Sequence, residues 1–204
     1  NITDENGKAV DGVTVTLLGR DGKTPITPNE NGTYTLGYGV YTYTLSKNGY
    51  VVTRGSFSLG SADAANVKDG VLTVKTAVLP KVGENAWDGK TKTEPKKDGN
   101  GVYLIGTAAE LAWFAATDGK SSAKLTADIE LAGYDWTPLK KFYGTFDGQG
   151  HVIRNLYINS TSNTLGLISY LQGGASVTGL GITGSVTCTN NTRIAQAGGI
   201  VGYM

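Results

Sequence analysis

The run Tyr143-Gly144-Thr145-Phe146-Asp147-Gly148-Gln149-Gly150-His151-Val152-Ile153-Arg154-Asn155-Leu156-Tyr157-Ile158 constrains the fold more than any other stretch. It reads as a tight glycine turn leading into a short strand, and its apolar spacing returns further along the chain. Ile153, Leu156 and Ile158 are echoed by Val177, Leu180 and Ile182, each 24 positions on. A second echo joins Gly166-Leu167-Ile168-Ser169-Tyr170 to Gly199-Ile200-Val201-Gly202-Tyr203, 33 positions on. A chain that repeats one strand and turn every few dozen residues stacks like units, each burying its apolar side against the next. The expectation is a β-solenoid, and with it a scaffold or binding surface ahead of an enzyme.

Composition narrows the class. Glycine accounts for 30 of 204 residues, well above the usual ~7%, while a hydrophobic content of 39% is too high for a disordered chain. The surplus glycine therefore serves turns and close backbone approaches. Eighteen basic and seventeen acidic residues leave a formal charge of +1 with no basic stripe, which argues against a nucleic-acid or anionic-membrane partner. No signal peptide, sorting tail or transmembrane run is visible. Both ends read as cut, at Asn1-Ile2 in mid-strand and at Tyr203-Met204 inside a repeat. The single cysteine, Cys188, excludes an internal disulfide and a cysteine-based zinc cluster, and in the alternating run Ser185 to Thr189 it reads as a small buried thiol. No cofactor and no metal are expected.

Residues 1–80 carry about seven short strands with turn signals at close intervals, the pattern of a β-sandwich. The turns are Asp4-Glu5-Asn6-Gly7-Lys8, Asp21-Gly22, Asn31-Gly32 and Asn48-Gly49, where Asn-Gly and Asp-Gly tolerate positive φ. The strands are Val13 to Leu17, Tyr34 to Leu36, Val40 to Leu45, Tyr50 to Val52 and Val71 to Leu79. Alternation puts Tyr41, Tyr43 and Leu45 on one face, as core. With Gly32-Thr33-Tyr34 and Lys47-Asn48-Gly49-Tyr50, the stretch Asp4 to Val15 resembles the prealbumin-like modules of bacterial surface proteins, the carboxypeptidase-regulatory-like and collagen-adhesin B-type groups. Some of that class form a Lys–Asn isopeptide bond beside an acid. Here Ser46-Lys47-Asn48 brings no acid, and the bond is not carried over.

Residues 81–100 read as a proline- and glycine-bearing linker followed by a charged, solvated loop. A second domain follows over 101–204. Its one helix is expected over 107–116, where Thr107 and Glu110 fit a capping box and Leu111, Phe114 and Ala115 share a face. Such a helix ahead of a solenoid covers the open end of the first coil. Leu125, Ile129 and Leu131 then point inward, Asp128 and Glu130 outward, and Trp136 and Pro138 mark a corner. Asp147, Gly148 and Gly150 form the next turn. The run from Trp87 to Tyr203 resembles the GLUG-motif β-helices of bacterial cell-surface proteins. The carrying residues are Glu110-Leu111-Ala112, Asp128 to Leu131, Trp136-Thr137-Pro138, Gly144 to His151 and Gly199 to Gly202. The resemblance implies an all-β protein in which a β-sandwich precedes a right-handed parallel β-helix, secreted or attached to the wall, with adhesive or host-interaction roles.

No catalytic residue is assigned. His151 is the only histidine, which removes a Ser-His-Asp triad built on any other position. Asp147 beside it reads as a turn cap. A glycosidase needs two carboxylates flanking a cleft, and after Asp147 the chain has no acid. Sugar binding asks less. Tyr157, expected to face outward between Leu156 and Ile158, is the leading aromatic, with Asn155 and Asn159 as hydrogen-bonding neighbours. Trp113 and Trp136 are read as packing. The expected role is a non-enzymatic adhesin or rigid stalk at the cell surface whose partner is a glycan or a host extracellular protein. The alternative is a module that binds or cleaves carbohydrate.

Overall fold

The computed structural model describes residues 2–68, 71–72, 77–83, 85–117, 119–190 and 194–204. It is mostly strand with one α-helix, an all-β chain. Two compact units divide it, Asn1–Lys81 and Val82–Met204. Among the described residues no helix is long and apolar enough to cross a membrane.

The first unit is built on a four-stranded antiparallel sheet in the order Pro25–Ile26, Thr14–Leu18, Gly39–Ser46, Thr53–Leu59. Its core holds Val10, Leu17, Tyr41, Leu45, Val52 and Leu79. Tyr41 stacks on Phe57 with centroids 5.6 Å apart, and Val15, on the same strand face as Leu17, stays 40% exposed. The Asp-Gly and Asn-Gly turns sit where their chemistry demands. Asp4 Oδ1 accepts from the Asn6 and Lys8 amides at 3.0 and 2.9 Å, and Gly7 takes φ +78°. The Lys47 ammonium donates to the Asp11 carbonyl at 2.5 Å.

Three expectations for this unit change. Residues 34–36 are not strand. The Asn29 amide donates to the Thr33 and Thr35 hydroxyls at 3.2 and 3.3 Å, a local alternative to ladder pairing. The strand expected at 50–52 lies instead at Thr53–Leu59. Its Gly55 breaks the apolar alternation, and the Tyr43 ring from the facing strand fills the space a Cβ there would need. The strand expected at 71–79 is divided: Val71–Leu72 pairs antiparallel with Val67–Lys68, and Ala77–Val78 pairs parallel with Ile2–Thr3. Residues 73–76 of it lie outside the described residues.

The second unit repeats one circuit. The chain visits three parallel sheets in a fixed order. The first holds Tyr103–Ile105, Ala123–Leu125, Thr145–Asp147 and Ser176–Thr178. The second holds Ile129–Glu130, Val152–Ser160 and Gly181–Cys188. The third holds Leu139–Phe142, Ile168–Leu171 and Val201–Tyr203. On the later passes Thr164–Leu165 and Gln196–Ala197 form a further parallel pair between the second and third sheets. Like stacks on like: Ile129 on Ile153 on Ile182, and Leu139 on Ile168 on Val201. The earlier passes bury these side chains almost completely, whereas Val177, Leu180, Ile182, Val186 and Cys188 of the last are only partly covered.

The 33-residue echo is a true stacking register, since Ile168 pairs with Val201 and Tyr170 with Tyr203. The 24-residue echo is not. Ile153 pairs with Ile182, while Val177 stacks on Phe146 in a different sheet. The passes differ in length, because the second lengthens its strand to Val152–Ser160 and adds Thr164–Leu165. All the strands share similar apolar spacing, so pattern alone cannot tell which sheet a strand joins.

Residues 82–100 are also corrected, from linker and loop to part of the second unit. Trp87 is 7% exposed in its core and donates its amide to the Glu130 carbonyl at 3.0 Å. Lys96–Lys97 pairs antiparallel with Tyr103–Ile105 and ends the first sheet. The Asp98 carboxylate accepts from the Asn100 and Val102 amides and turns the chain, and Lys97 lies 4.2 Å from the Tyr103 ring centroid. Lysines on an edge strand discourage a further strand from pairing there, so a charged stretch and a strand are compatible.

The helix runs Ala108–Thr117, one residue beyond the expected start and end. Thr107 Oγ1 accepts from the Glu110 amide at 3.2 Å, and Glu110 Oε2 accepts from the Thr107 and Gly106 amides at 2.9 and 2.8 Å. Ala108, Leu111, Ala112 and Phe114 are its buried face, with Ala115 half-buried. Phe114 meets Tyr103, Phe142 and Phe146 with centroids 5.7, 6.1 and 6.2 Å away. Phe114→Ala is expected to cost about 3–5 kcal/mol, with thermal denaturation as the readout. A loss below about 1 kcal/mol would mean that the helix does not hold the first pass.

Candidate functional site

The carboxylates of the second unit are largely committed to turns and stacking. Asp128 Oδ1 lies 3.2 Å from His151 Nδ1 and accepts from the Val152 amide at 3.0 Å, while Oδ2 accepts from Arg154 at 2.6 Å. The Val152 amide, helped by the His151 hydrogen bond and the Arg154 charge, outweighs the opposing desolvation and holds the Asp128 carboxyl below its usual range. His151 thus faces Asp128, an acid one pass below it, whereas the acid near it along the sequence is Asp147. Asp147 Oδ1 accepts from the Gln149 amide at 2.9 Å, and Oδ2 pairs with the Gln149 side chain. Gly148 and Gly150 complete this turn, Gly150 at φ +82°. A Cβ on Gly148 would collide with the Gly179 carbonyl of the next pass.

The three residues expected to bind a ligand separate. Asn155 adopts φ +55° at the register shift in its strand. Its side-chain amide donates to Glu130 Oε1 and Oε2 at 2.9 and 3.1 Å, so it locks two passes together. Tyr157 is half-buried between the buried Leu156 and Ile158, its backbone bridged to Asp135 and paired with Ser185 of the next pass. Asn159 alone is exposed, and it lines a groove.

That groove encloses about 530 Å³, within the ~300–1,000 Å³ range of small-ligand sites. One wall comes from the first pass, with Trp136, Lys140 and Lys141. The other comes from the longer second pass, with Asn159, Asn163 and Tyr170. Lys141 pairs with Tyr170, and Tyr170 with Tyr203, along the third sheet. The two tyrosine rings meet edge to face at 6.0 Å and are 36% and 50% exposed. Thr164 Oγ1 lies 3.0 Å from the Tyr170 hydroxyl and steadies the ring. The repeating Tyr170/Tyr203 echo carried this signal in the sequence, whereas Lys140, Lys141 and the groove itself needed the stacking.

Trp136 is 5% exposed. Its amide donates to the Tyr157 carbonyl at 2.8 Å, and its ring meets Trp87 at 5.5 Å. Its indole Nε1 is buried with no hydrogen-bond partner, a cost of about 1–3 kcal/mol if it stays unmet. Trp87 by contrast donates Nε1 to the Thr91 carbonyl at 2.9 Å, in a turn organised by Asp88. Among the described residues no group of three or more His, Cys, Asp or Glu is placed to hold a metal ion, and the groove lining contains one carboxylate, Asp135.

No family model, no curated protein and no solved structure matches this chain.

The Asp88 turn behind the two tryptophans has a pH signature. Burial pushes the Asp88 carboxyl up, but hydrogen bonds from the Thr91 hydroxyl and the Thr91 and Lys90 amides outweigh it and hold the group at about 2 against an ordinary 3.8. The unfolded chain therefore takes up the proton first as pH falls. The stabilisation is whole above pH 3.8 and is lost between 3.8 and about 2. Asp88→Asn is expected to lessen the fall of stability across that window, measured by urea denaturation at several pH values. An unchanged slope contradicts the assignment.

Proposed function

We propose that this chain is a non-enzymatic module of a bacterial cell-surface protein, an adhesin or rigid stalk, that presents a glycan-binding face. In this reading a prealbumin-like β-sandwich precedes a right-handed parallel β-helix of the GLUG-motif kind, closed at its first pass by the capping helix. Three parallel sheets visited in the same order on successive passes support the β-helix, and a four-stranded antiparallel sheet with a stacked aromatic core is compatible with the sandwich. The module belongs outside the cell, on the surface or the wall.

One observation carries the binding reading. Tyr170 and Tyr203 stand in register on consecutive passes beside a groove lined by amides and hydroxyls. Sugars offer an apolar ring face together with many hydroxyls. A tyrosine held at a fixed spacing serves the first and an Asn or Ser lining serves the second. Successive parallel strands repeat at ~4.8 Å, so the face is regular and rigid and loses little freedom when a ligand docks. Cleavage is the rival reading. It asks for a second carboxylate across the cleft, where the lining offers Asp135 alone.

An array of glycans and extracellular-matrix proteins tests this. Wild-type chain is expected to give a specific glycan signal. Tyr170→Ala is expected to weaken it about tenfold, equivalent to ~1.4 kcal/mol, while Tyr157→Ala changes it less than about threefold. Silence across the array, or release of new reducing ends from a bound polysaccharide, would sink the proposal.

A further inference from the structure

We infer that the groove between the first and second passes takes an acidic sugar, a uronate or sulfated residue of a glycan chain. This deepens the glycan-binding reading and rests on it. The charge of the lining is the first argument. Lys140 and Lys141 are both exposed on the groove wall, against the single carboxylate of Asp135. They are adjacent residues of one strand, and the strand does not alternate there: Leu139 and Phe142 are buried while both lysines lie outside. Two ammonium groups are therefore delivered to one short length of groove, where the pleat would ordinarily send one of them inward.

The second argument is the surplus of donors. Asn159 and Asn163 bring side-chain amides, Tyr170 a hydroxyl, and the lysines three N–H donors each. Trp136, which also lines the groove, keeps its indole Nε1 buried with no acceptor. A neutral sugar hydroxyl donates as readily as it accepts, but a carboxylate or sulfate group only accepts. A wall that is rich in donors and poor in carboxylates matches the anion better than the hydroxyl.

Tyr170 completes the site. Its ring stands beside Lys141 in register and offers a face to the apolar side of the sugar, with the acidic group directed at the lysine pair. Such contacts weaken with ionic strength, because lysine–anion attraction at an exposed site is screened by salt.

The test is calorimetric titration of the whole chain with three tetrasaccharides: tetragalacturonate, carrying carboxylates alone; a sulfated cello-oligosaccharide, carrying sulfates alone; and neutral cellotetraose. At least one acidic probe is expected to bind, more weakly as salt is raised, and which of the two binds identifies the acid. The variant Lys140→Gln/Lys141→Gln, altered only at exposed positions, is expected to lose affinity at least about tenfold with its melting temperature unchanged. In a nitrogen–proton correlation spectrum the Trp136 indole resonance should shift during the titration while that of Trp113, on the helix, stays in place. Cellotetraose binding as tightly as the acidic probes, a double lysine variant within about twofold of wild type, or a Trp136 resonance that does not move would each overturn the acidic-sugar assignment. In those cases a positive glycan array leaves the broader reading standing. Silence from all three probes together with a silent array overturns both.

Discussion

Everything in the second unit depends on parallel register. Apart from Lys96–Lys97, which pairs antiparallel with Tyr103–Ile105, a strand here has no hairpin partner adjacent in sequence. Its amides and carbonyls are satisfied by the pass above and the pass below, so the backbone pairing of one circuit exists only if its neighbours hold the same path. The ladder from Ile129 through Ile153 to Ile182 fixes that path. Shifting one strand by a single residue would turn its buried side chains to solvent, and side chains such as Ile153 and Leu156 are almost wholly inside. The close approach of passes also decides where glycine stands. At Gly184 a Cβ would strike the Leu156 carbonyl, and φ is +144°, so both space and backbone conformation call for glycine.

The groove follows from that same constraint meeting passes of unequal length. Where two circuits match, side chains stack and the surface is even. Where the second pass runs on through Ser160 to Leu165, the extra residues overhang the shorter first pass, and a cleft opens between them above Trp136. The devices that tie the passes at this level are polar: Asn155 to Glu130, and Asp128 to His151, Val152 and Arg154. They use most of the nearby acids for architecture. What is left facing the groove is amide, hydroxyl, tyrosine and lysine, with the single carboxylate of Asp135.

The glycine turns, the capping box at Thr107 and Glu110 and the 33-residue echo were all readable along the chain, because each depends on residues within a few positions or on like strands recurring. The strand at Thr53–Leu59 was not, since Gly55 interrupts its pattern and the ring that replaces the missing side chain belongs to Tyr43 on another strand. Lys96–Lys97 reads as a solvated loop by composition and becomes an edge strand because Asp98 folds it against Tyr103. For the candidate site the sequence was a poorer guide. Tyr157 alternates with buried Leu156 and Ile158 and is half-buried, with its neighbours Asp135 and Ser185 supplied by the passes on either side.

The residues by themselves determined that this is an all-β chain of short strands and tight turns, with one capped helix and a repeating apolar beat, because those features are set by local backbone preference and by the period of side-chain burial. Only the tertiary structure decided which strand lies on which. Circuit length is the sum of loops whose apolar spacing carries no address, so Val177 could be matched to Ile153 by pattern and yet stack on Phe146. The groove exists only between passes, where residues some thirty positions apart become neighbours.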